Sequence, residues 1–494
     1  MINRSPVPRL DFTSPGVRRE LDPEAKATLG QFMTPRAIAD FMAGLFSPPK
    51  APVKLLDPGA GAGSLSSAFL DKYGTVPTAV EAWEIDPVLR RHLAVTFEGY
   101  THKFNNVRVR IHERDFIEDA VFTLAMGRSP AYTHAIINPP YKKINSDSQH
   151  RLLLRKVGVE VVNLYAAFVA VAVRLLVDGG EAVAIIPRSF CNGTYYRPFR
   201  EFLFSTCAIK HVHLFESRSQ AFKDDDVLQE NIIIFLKKSA PQSEVVVSTS
   251  HDSSFADYRE TAHPFSQIVR PFDPEKYICI PTSCSPAATS DPFRCTLKET
   301  GLEVCTGPVV DFRVKRFWCK TPQRNAAPLL YPHHFREGSL TYPKENKKPN
   351  AVFVHPETQK WLMPRGFYVL VKRFSSKEER RRVVAYVLDP DELPYPFYGF
   401  ENHWNVFHTN KGGLDAITAF GLAAFLNSTR VDTHFRVFSG HTQVNATDLR
   451  TMRYPSRREL GELGLHSKDK RLTQEQIDKL VREIAARRKS KGFK

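Results

Sequence analysis

Residues 53–65 read VKLLDPGAGAGSL. The apolar run Val53–Leu56 is the pattern of a buried strand, and it stops at Asp57-Pro58 and passes into a turn carrying Gly59, Gly61 and Gly63. Glycines there let the backbone turn tightly and approach a ligand closely. Working outward, the same alternation recurs. TAVEAWEIDP (78–87) reads as a second strand, VRVRIHERDF (107–116) as a third and HAIINPP (134–140) as a fourth. A helical pattern comes next in NLYAAFVAVAVRLL (163–176), then strands in EAVAIIP (181–187), HVHLF (211–215) and ENIIIFLKK (230–238). Strands separated by helical segments imply βαβ units. Their apolar, non-alternating runs imply helices on both faces. The expectation is an α/β fold with a seven-stranded, mostly parallel sheet.

After residue 240 the character changes: KKSAPQSEVVVSTSHDSSFADYRETAHPF (237–265) is polar and has no helical period. Proline, aromatics and short strand-like runs continue to about residue 410, and the chain ends in a basic helix and tail. The expected division is an N-terminal extension (1–28), a catalytic domain (29–240), a mixed domain (241–456) and a basic C-terminal segment (457–494). The 494 residues carry 69 Lys+Arg against 53 Asp+Glu, a formal net charge of +16. That excess favours a polyanionic partner, nucleic acid before membrane. The first residues lack the apolar core of a signal peptide. The longest apolar stretch, LYAAFVAVAVRLLV (164–177), is too short for a span and contains Arg174. Scattered cysteines without a C-x-x-C pair fit reduced thiols. A cytoplasmic protein without metal or membrane partner is expected.

The glycine turn lacks the Lys-Ser/Thr of a phosphate loop and the full spacing of a dinucleotide site. An acid, Asp57, opens it instead. The next strand ends in Glu84-Ile85-Asp86, where an acid can take ribose hydroxyls. The third ends in Asp115-Phe116, where an acid can accept from an adenine amine while the ring packs on the base. Each acid alone reads equally well as a solvated loop residue. Three in succession imply a ligand with ribose and adenine but no phosphate, which S-adenosylmethionine fits.

The fourth strand ends in Asn138-Pro139-Pro140-Tyr141, and prolines cannot continue a sheet ladder. An exocyclic amine on a heteroaromatic ring is a poor nucleophile because its lone pair is delocalised. Accepting its two hydrogens on the Asn138 side-chain oxygen and the Pro139 carbonyl draws the nitrogen toward tetrahedral geometry. Two prolines hold both acceptors rigid. Tyr141 offers a flipped base a stacking surface. The chain has no Pro-Cys dipeptide, so a cysteine nucleophile attacking cytosine has no candidate.

LGQFMTP (29–35), DPGAGAGSL (57–65), Glu84-Ile85-Asp86, Asp115-Phe116 and NPPY (138–141), in this order, resemble the γ-class amino-methyltransferases that act on adenine N6 in DNA. The resemblance implies a Rossmann-like, class I S-adenosylmethionine-dependent fold followed by a DNA-recognition domain. It assigns Thr34 to the methionine end of the cofactor, and Phe222 to a second aromatic that sandwiches the flipped base with Tyr141. Without it, Thr34-Pro35 reads as the cap and first turn of a helix, and Phe222 as core. GLEVCTGPVVDFR (301–313), NHWNVFH (402–408) and FRVFSGHTQVNATDLRTMRYPS (435–456) resemble the PstI/BsuBI-type modification methylases. There Gly440, His441, Thr442, Gln443, Asn445 and Arg450 form a polar cluster suited to DNA contact, and the same residues read equally as an ordinary loop followed by a helix cap. This resemblance implies a monomer that methylates adenine in CTGCAG within double-stranded DNA. A cognate restriction endonuclease would be a separate protein.

The same Asn-Pro-Pro-Tyr chemistry serves protein glutamine and RNA adenine methyltransferases. Glutamine methyltransferases are shorter and lack the basic, aromatic-rich C-terminal half. A non-catalytic binding module would not need Asn138 and the intact acids. No Pro-Asp…Asp/Glu-x-Lys nuclease signature supports a fused restriction enzyme.

Overall fold

The computed structural model describes residues 34–216, 230–281 and 292–491, apart from 270, 272, 337, 376–378 and 439–442. Leu29–Met33, Phe222, Gly440, His441 and Thr442 lie outside the described residues. The chain divides into two compact units, Met1–Cys284 and Ser285–Lys494.

All seven strand segments expected from the sequence are strands of one sheet: β1 (Val53–Pro58), β2 (Thr78–Trp83), β3 (Val107–His112), β4 (Tyr132–Ile137), β5 (Leu176–Pro187), β6 (Cys207–Phe215) and β7 (Asn231–Lys238). The sheet nevertheless has nine strands rather than seven. β8 (Val245–Ser250) and β9 (Arg259–His263) extend it in the order β3-β2-β1-β4-β5-β7-β6-β8-β9. The boundary expected near residue 240 therefore falls inside the sheet. Composition misleads there because β9 is a largely exposed edge strand, which needs no apolar run. β7 enters antiparallel between β5 and β6, and β9 is antiparallel to β8, while the other pairings are parallel.

Helices cover both faces, as the apolar strands require. α1 (Arg36–Gly44), α2 (Ser64–Tyr73) and α3 (Pro87–Lys103) bury Met42, Phe69 and Phe97 in a core on one face. α4 (Phe116–Ala125), α5 (Gln149–Lys156), α6 (Leu164–Leu175) and α7 (Arg197–Thr206) pack on the other. The apolar stretch that is too short for a membrane span is α6, which is buried along nearly its whole length. No helix among the described residues is long and apolar enough to cross a membrane.

Beyond the first seven strands, β8 supplies internal polar partners. His211 Nε2 and His213 Nδ1, both buried on β6, lie 2.6 and 2.8 Å from Ser248 Oγ on β8, and His213 Nε2 is 3.1 Å from Ser250 Oγ. Burial pushes the two imidazoles down to about 4 and about 3, so both are neutral at pH 7.

The second unit contains a four-stranded antiparallel sheet in the order Glu303–Thr306, Trp404–His408, Tyr368–Lys372, Ala385–Leu388. A five-stranded sheet orders Trp318–Cys319, Ala351–Phe353, Ala326–Leu330, Phe397–Phe400 and Leu362–Pro364. The C-terminal segment expected to stand apart belongs to this unit. Helix Arg457–Ser467 crosses helix Ala416–Leu426 so closely that a Cβ on Gly421 would meet Leu460 O at 1.9 Å. One on Gly464 would meet Ile417 O at 1.9 Å. Helix Gln474–Lys491 buries Val481 and Ile484.

Candidate active site

The strand order reverses direction between β1 and β4, and open α/β sheets bind ligands in the crevice beyond the carboxyl ends at such a point. Asp57 lies at the end of β1 and Asn138 directly follows β4. Glu84 follows β2 and Asp115 follows β3, three residues beyond its end. Along the edge the order is therefore Asp115, Glu84, Asp57, Asn138. The two loops nearest the switch point approach each other, because a Cβ on Gly59 would lie 4.0 Å from Asn138 O.

Asp57 is fully buried, and burial pushes its carboxyl up to about 7 against the opposing hydrogen bond from Ser66. Ser66 Oγ donates to Asp57 Oδ2 at 2.5 Å. Asp57 Oδ1 is buried with no partner among the described residues. A buried acceptor without a donor costs about 1–3 kcal/mol, so this oxygen is suited to an incoming N–H or O–H. Glu84 is only 4% exposed, and burial raises its carboxyl. Its Oε2 accepts from Gly61 N and its Oε1 from Asp86 N, each at 2.8 Å. One carboxylate thus pins the glycine turn. Gly61 has φ +57°, and a Cβ placed on it would meet nothing within 4 Å. The turn faces open space where a ligand can lie against backbone.

At the third strand end the roles divide. Asp115 caps α4 by accepting from Glu118 N at 3.0 Å and meets His150 Nε2 at 3.1 Å. Burial works to raise its carboxyl, but the His150 contact and the backbone N–H win, and the net shift is downward. The same contact raises His150. Phe116 is 2% exposed and packs against Trp83 and Phe168, with ring centroids 5.5 and 5.1 Å apart. The first residue after the cap points back into the core. Ile85, 44% exposed, is the apolar side chain that reaches outward at this edge.

Asn138 is held from both ends of its amide. Its Nδ2 donates to Thr34 Oγ1 at 2.8 Å, and Tyr141 Oη donates to its Oδ1 at 3.3 Å. Thr34 does not cap α1. The N-cap is Pro35, and the Thr34 hydroxyl is used across the fold instead. Tyr141 Oη also lies 3.3 Å from Ile185 O, and its ring meets Tyr165 edge-on at 6.3 Å. Burial raises the Tyr141 phenol, so it stays protonated at neutral pH. Ser66 and His150, both absent from the sequence-based expectations, contact two of the acids. The only signal for Ser66 is the group of three hydroxyls, Ser64, Ser66 and Ser67, in the first turn after the glycines. His150 is 35 residues from its partner and has no such signal.

The Eco57I restriction-modification methylase family matches residues 86–222. The chain is 51% identical over 451 residues to the type II methyltransferase M.BsuBI of Bacillus subtilis, covering 89% of this chain and 90% of that one. It is 40% identical over 484 residues to M.PstI of Providencia stuartii, covering 94% of each. Among solved structures, a DrdV–DNA complex is similar in fold, with a TM-score of 0.52 at 12% identity over 91% of this chain and 58% of that one. With identity of this extent along nearly the whole length, the chain is a methyltransferase and belongs to the PstI/BsuBI-type type II methylases.

Proposed function

We propose that this methyltransferase transfers a methyl group from S-adenosylmethionine to adenine N6 in double-stranded DNA, at CTGCAG. The methylation protects the site from a cognate restriction endonuclease made as a separate protein. The enzyme works as a cytoplasmic monomer, treating the two strands of the palindrome in separate events. The observation that carries this reading is the chain Thr34–Asn138–Tyr141, which fixes an amide oxygen on a rigid Asn-Pro-Pro turn beside the glycine loop.

The cofactor fits the residues present. Asp57 Oδ1 is an orphaned acceptor suited to the amino group of the methionine end, to which Thr34, bonded to Asn138, is also assigned. Glu84, which pins the glycine turn from the end of β2, is assigned to the ribose hydroxyls, and Gly59, Gly61 and Gly63 shape the turn between them. Asp115 and Phe116 remain assigned to adenine, and exposed Ile85 offers a further apolar contact at that end. When bound, S-adenosylmethionine supplies an electrophilic methyl group on a sulfonium.

The chain's own groups act on the nucleophile. Asn138 Oδ1 and the Pro139 carbonyl accept the two N6 hydrogens of an extruded adenine. That localises the nitrogen lone pair, and both acceptors are prealigned by Thr34 and the prolines. The amide of Asn138 is not basic and the Tyr141 phenol stays protonated, so neither removes a proton before attack. The product's extra proton leaves to solvent. Tyr141 presents its ring to the base from one side, and Phe222 is assigned to the other. The second unit, with Gln443, Asn445 and Arg450, is the DNA-recognition part.

The test is to express the protein from a plasmid carrying CTGCAG sites, challenge the plasmid with a nuclease that cuts there, and identify the modified base. Protection with N6-methyladenine is expected. Full cleavage with N6-methyladenine elsewhere refutes the site, and methylcytosine alone refutes the base as well. Labelling of RNA or protein instead of DNA by tritiated cofactor refutes the substrate.

A further inference from the structure

The second unit holds a cavity of about 790 Å³, a volume suited to a nucleotide-sized group. All three C-terminal stretches singled out in the sequence meet there. Strand Glu303–Thr306, from the first, pairs antiparallel with Trp404–His408 from the second. From the third, Arg450 Nε donates to Val304 O at 3.2 Å. The wall carries four cations, Lys298, Lys360, Lys411 and Arg450, against one carboxylate, Glu303. Glu303 is itself 3.7 Å from His408 Nδ1. All four cations are exposed, and among the described residues none is in an ion pair.

Lys411 is also placed at a conformational cost. It sits in the tight turn Thr409–Gly412, closed by Gly412 N donating to Thr409 O at 2.7 Å, and has φ +61° beside Asn410 at φ +48°. The left-handed region is strained for a side-chain-bearing residue, and glycine would relieve it. A lysine held there, with three further cations outside any ion pair lining the same concavity, gives the wall an excess of positive charge that a polyanion complements.

We propose that this cavity seats the phosphate backbone of the DNA duplex, with Lys298, Lys360, Lys411 and Arg450 as its cations. The inference rests on the DNA-methyltransferase reading and specifies where the second unit grips its substrate. Phosphate contacts fix position and carry no sequence information. The cavity therefore contributes affinity equally on all sequences.

The experiment compares the full-length protein with the triple variant Lys298→Ala, Lys360→Ala, Lys411→Ala. A charge-matched control, Lys50→Ala, Lys156→Ala, Lys479→Ala, replaces exposed lysines outside the cavity. Affinity is measured against salt for one duplex containing CTGCAG and one lacking it, with cofactor binding as the check on folding. Each lost phosphate contact flattens the slope of log K against log salt by about 0.9, so the cavity variant should be flatter by about 2.7 on both duplexes. The control should keep the wild-type slope. The inference is overturned if the cavity variant keeps the wild-type slope, if the control flattens as much, or if the loss is confined to the CTGCAG duplex. A wild-type protein that binds neither duplex would instead remove the DNA reading itself.

Discussion

Replacing Asn138 by alanine separates catalysis from binding. The variant removes the oxygen proposed to accept an N6 hydrogen, and with it the amide nitrogen that donates to Thr34 Oγ1 at 2.8 Å. Deleting one prealigned acceptor or donor from a developing transition state costs about 10²–10³ in kcat. Asn138→Ala is therefore expected to lose that factor with little change in cofactor Kd. Thr34→Val tests the orientation rather than the acceptor. Loss of one neutral hydrogen bond, about 1 kcal/mol, corresponds to roughly a fivefold fall in kcat. Thr34→Ser should restore it. Single-turnover transfer of tritiated methyl to a short CTGCAG duplex gives the rates, and equilibrium dialysis gives the cofactor affinity. If Asn138→Ala stays within tenfold of wild type, or Thr34→Val loses more than Asn138→Ala, the assignment of the amide oxygen is wrong.

The acid at the end of β1 gives a pH prediction. Because Asp57 is raised to about 7 when folded, the folded chain holds a proton that the unfolded chain releases near pH 4. Stability is thus lost as pH rises toward 7, by up to about 1.4 kcal/mol per unit. Asp57→Asn should flatten urea midpoints between pH 5 and 8 without cofactor, while weakening cofactor binding; parallel pH profiles would contradict the burial argument. In the glycine turn, Gly61→Ala should weaken cofactor binding with a stability loss of only about 1–2 kcal/mol. Gly63→Ala should cost more, because its Cβ would lie 2.9 Å from Leu93 Cδ1; thermal melts with cofactor titration separate the two. Ser248→Ala leaves two buried imidazoles short of a partner and should cost roughly 2–4 kcal/mol in urea unfolding. A loss below 1 kcal/mol would show that the site relaxes.

The strands are legible where burial demands unbroken apolar runs. They fail to show where it does not: only the first half of β8 is apolar, and β9 is an exposed edge. Asp57, Glu84 and Asn138 can be found because each stands where an apolar run stops. The neighbours that tune them cannot, since Thr34 meets Asn138 across 104 residues and His150 meets Asp115 across 35. The packing of Phe116 is not legible either, because an Asp-Phe pair at a strand end does not tell which residue turns back into the core as the next helix begins.

The pairing of β6 imidazoles with β8 hydroxyls bears on where segments of related chains can be joined. A crossover placed where the composition changes, near residue 240, would join β6 of one parent to β8 of another. His211 and His213 would then depend on hydroxyls that the second parent need not supply. A seam after the compact unit that ends at Cys284 keeps these partners on the same inherited segment. Productive hybrids between relatives should therefore have their junctions downstream of β9, and any hybrid joined at residue 240 should need compensating serines before it accumulates as folded protein.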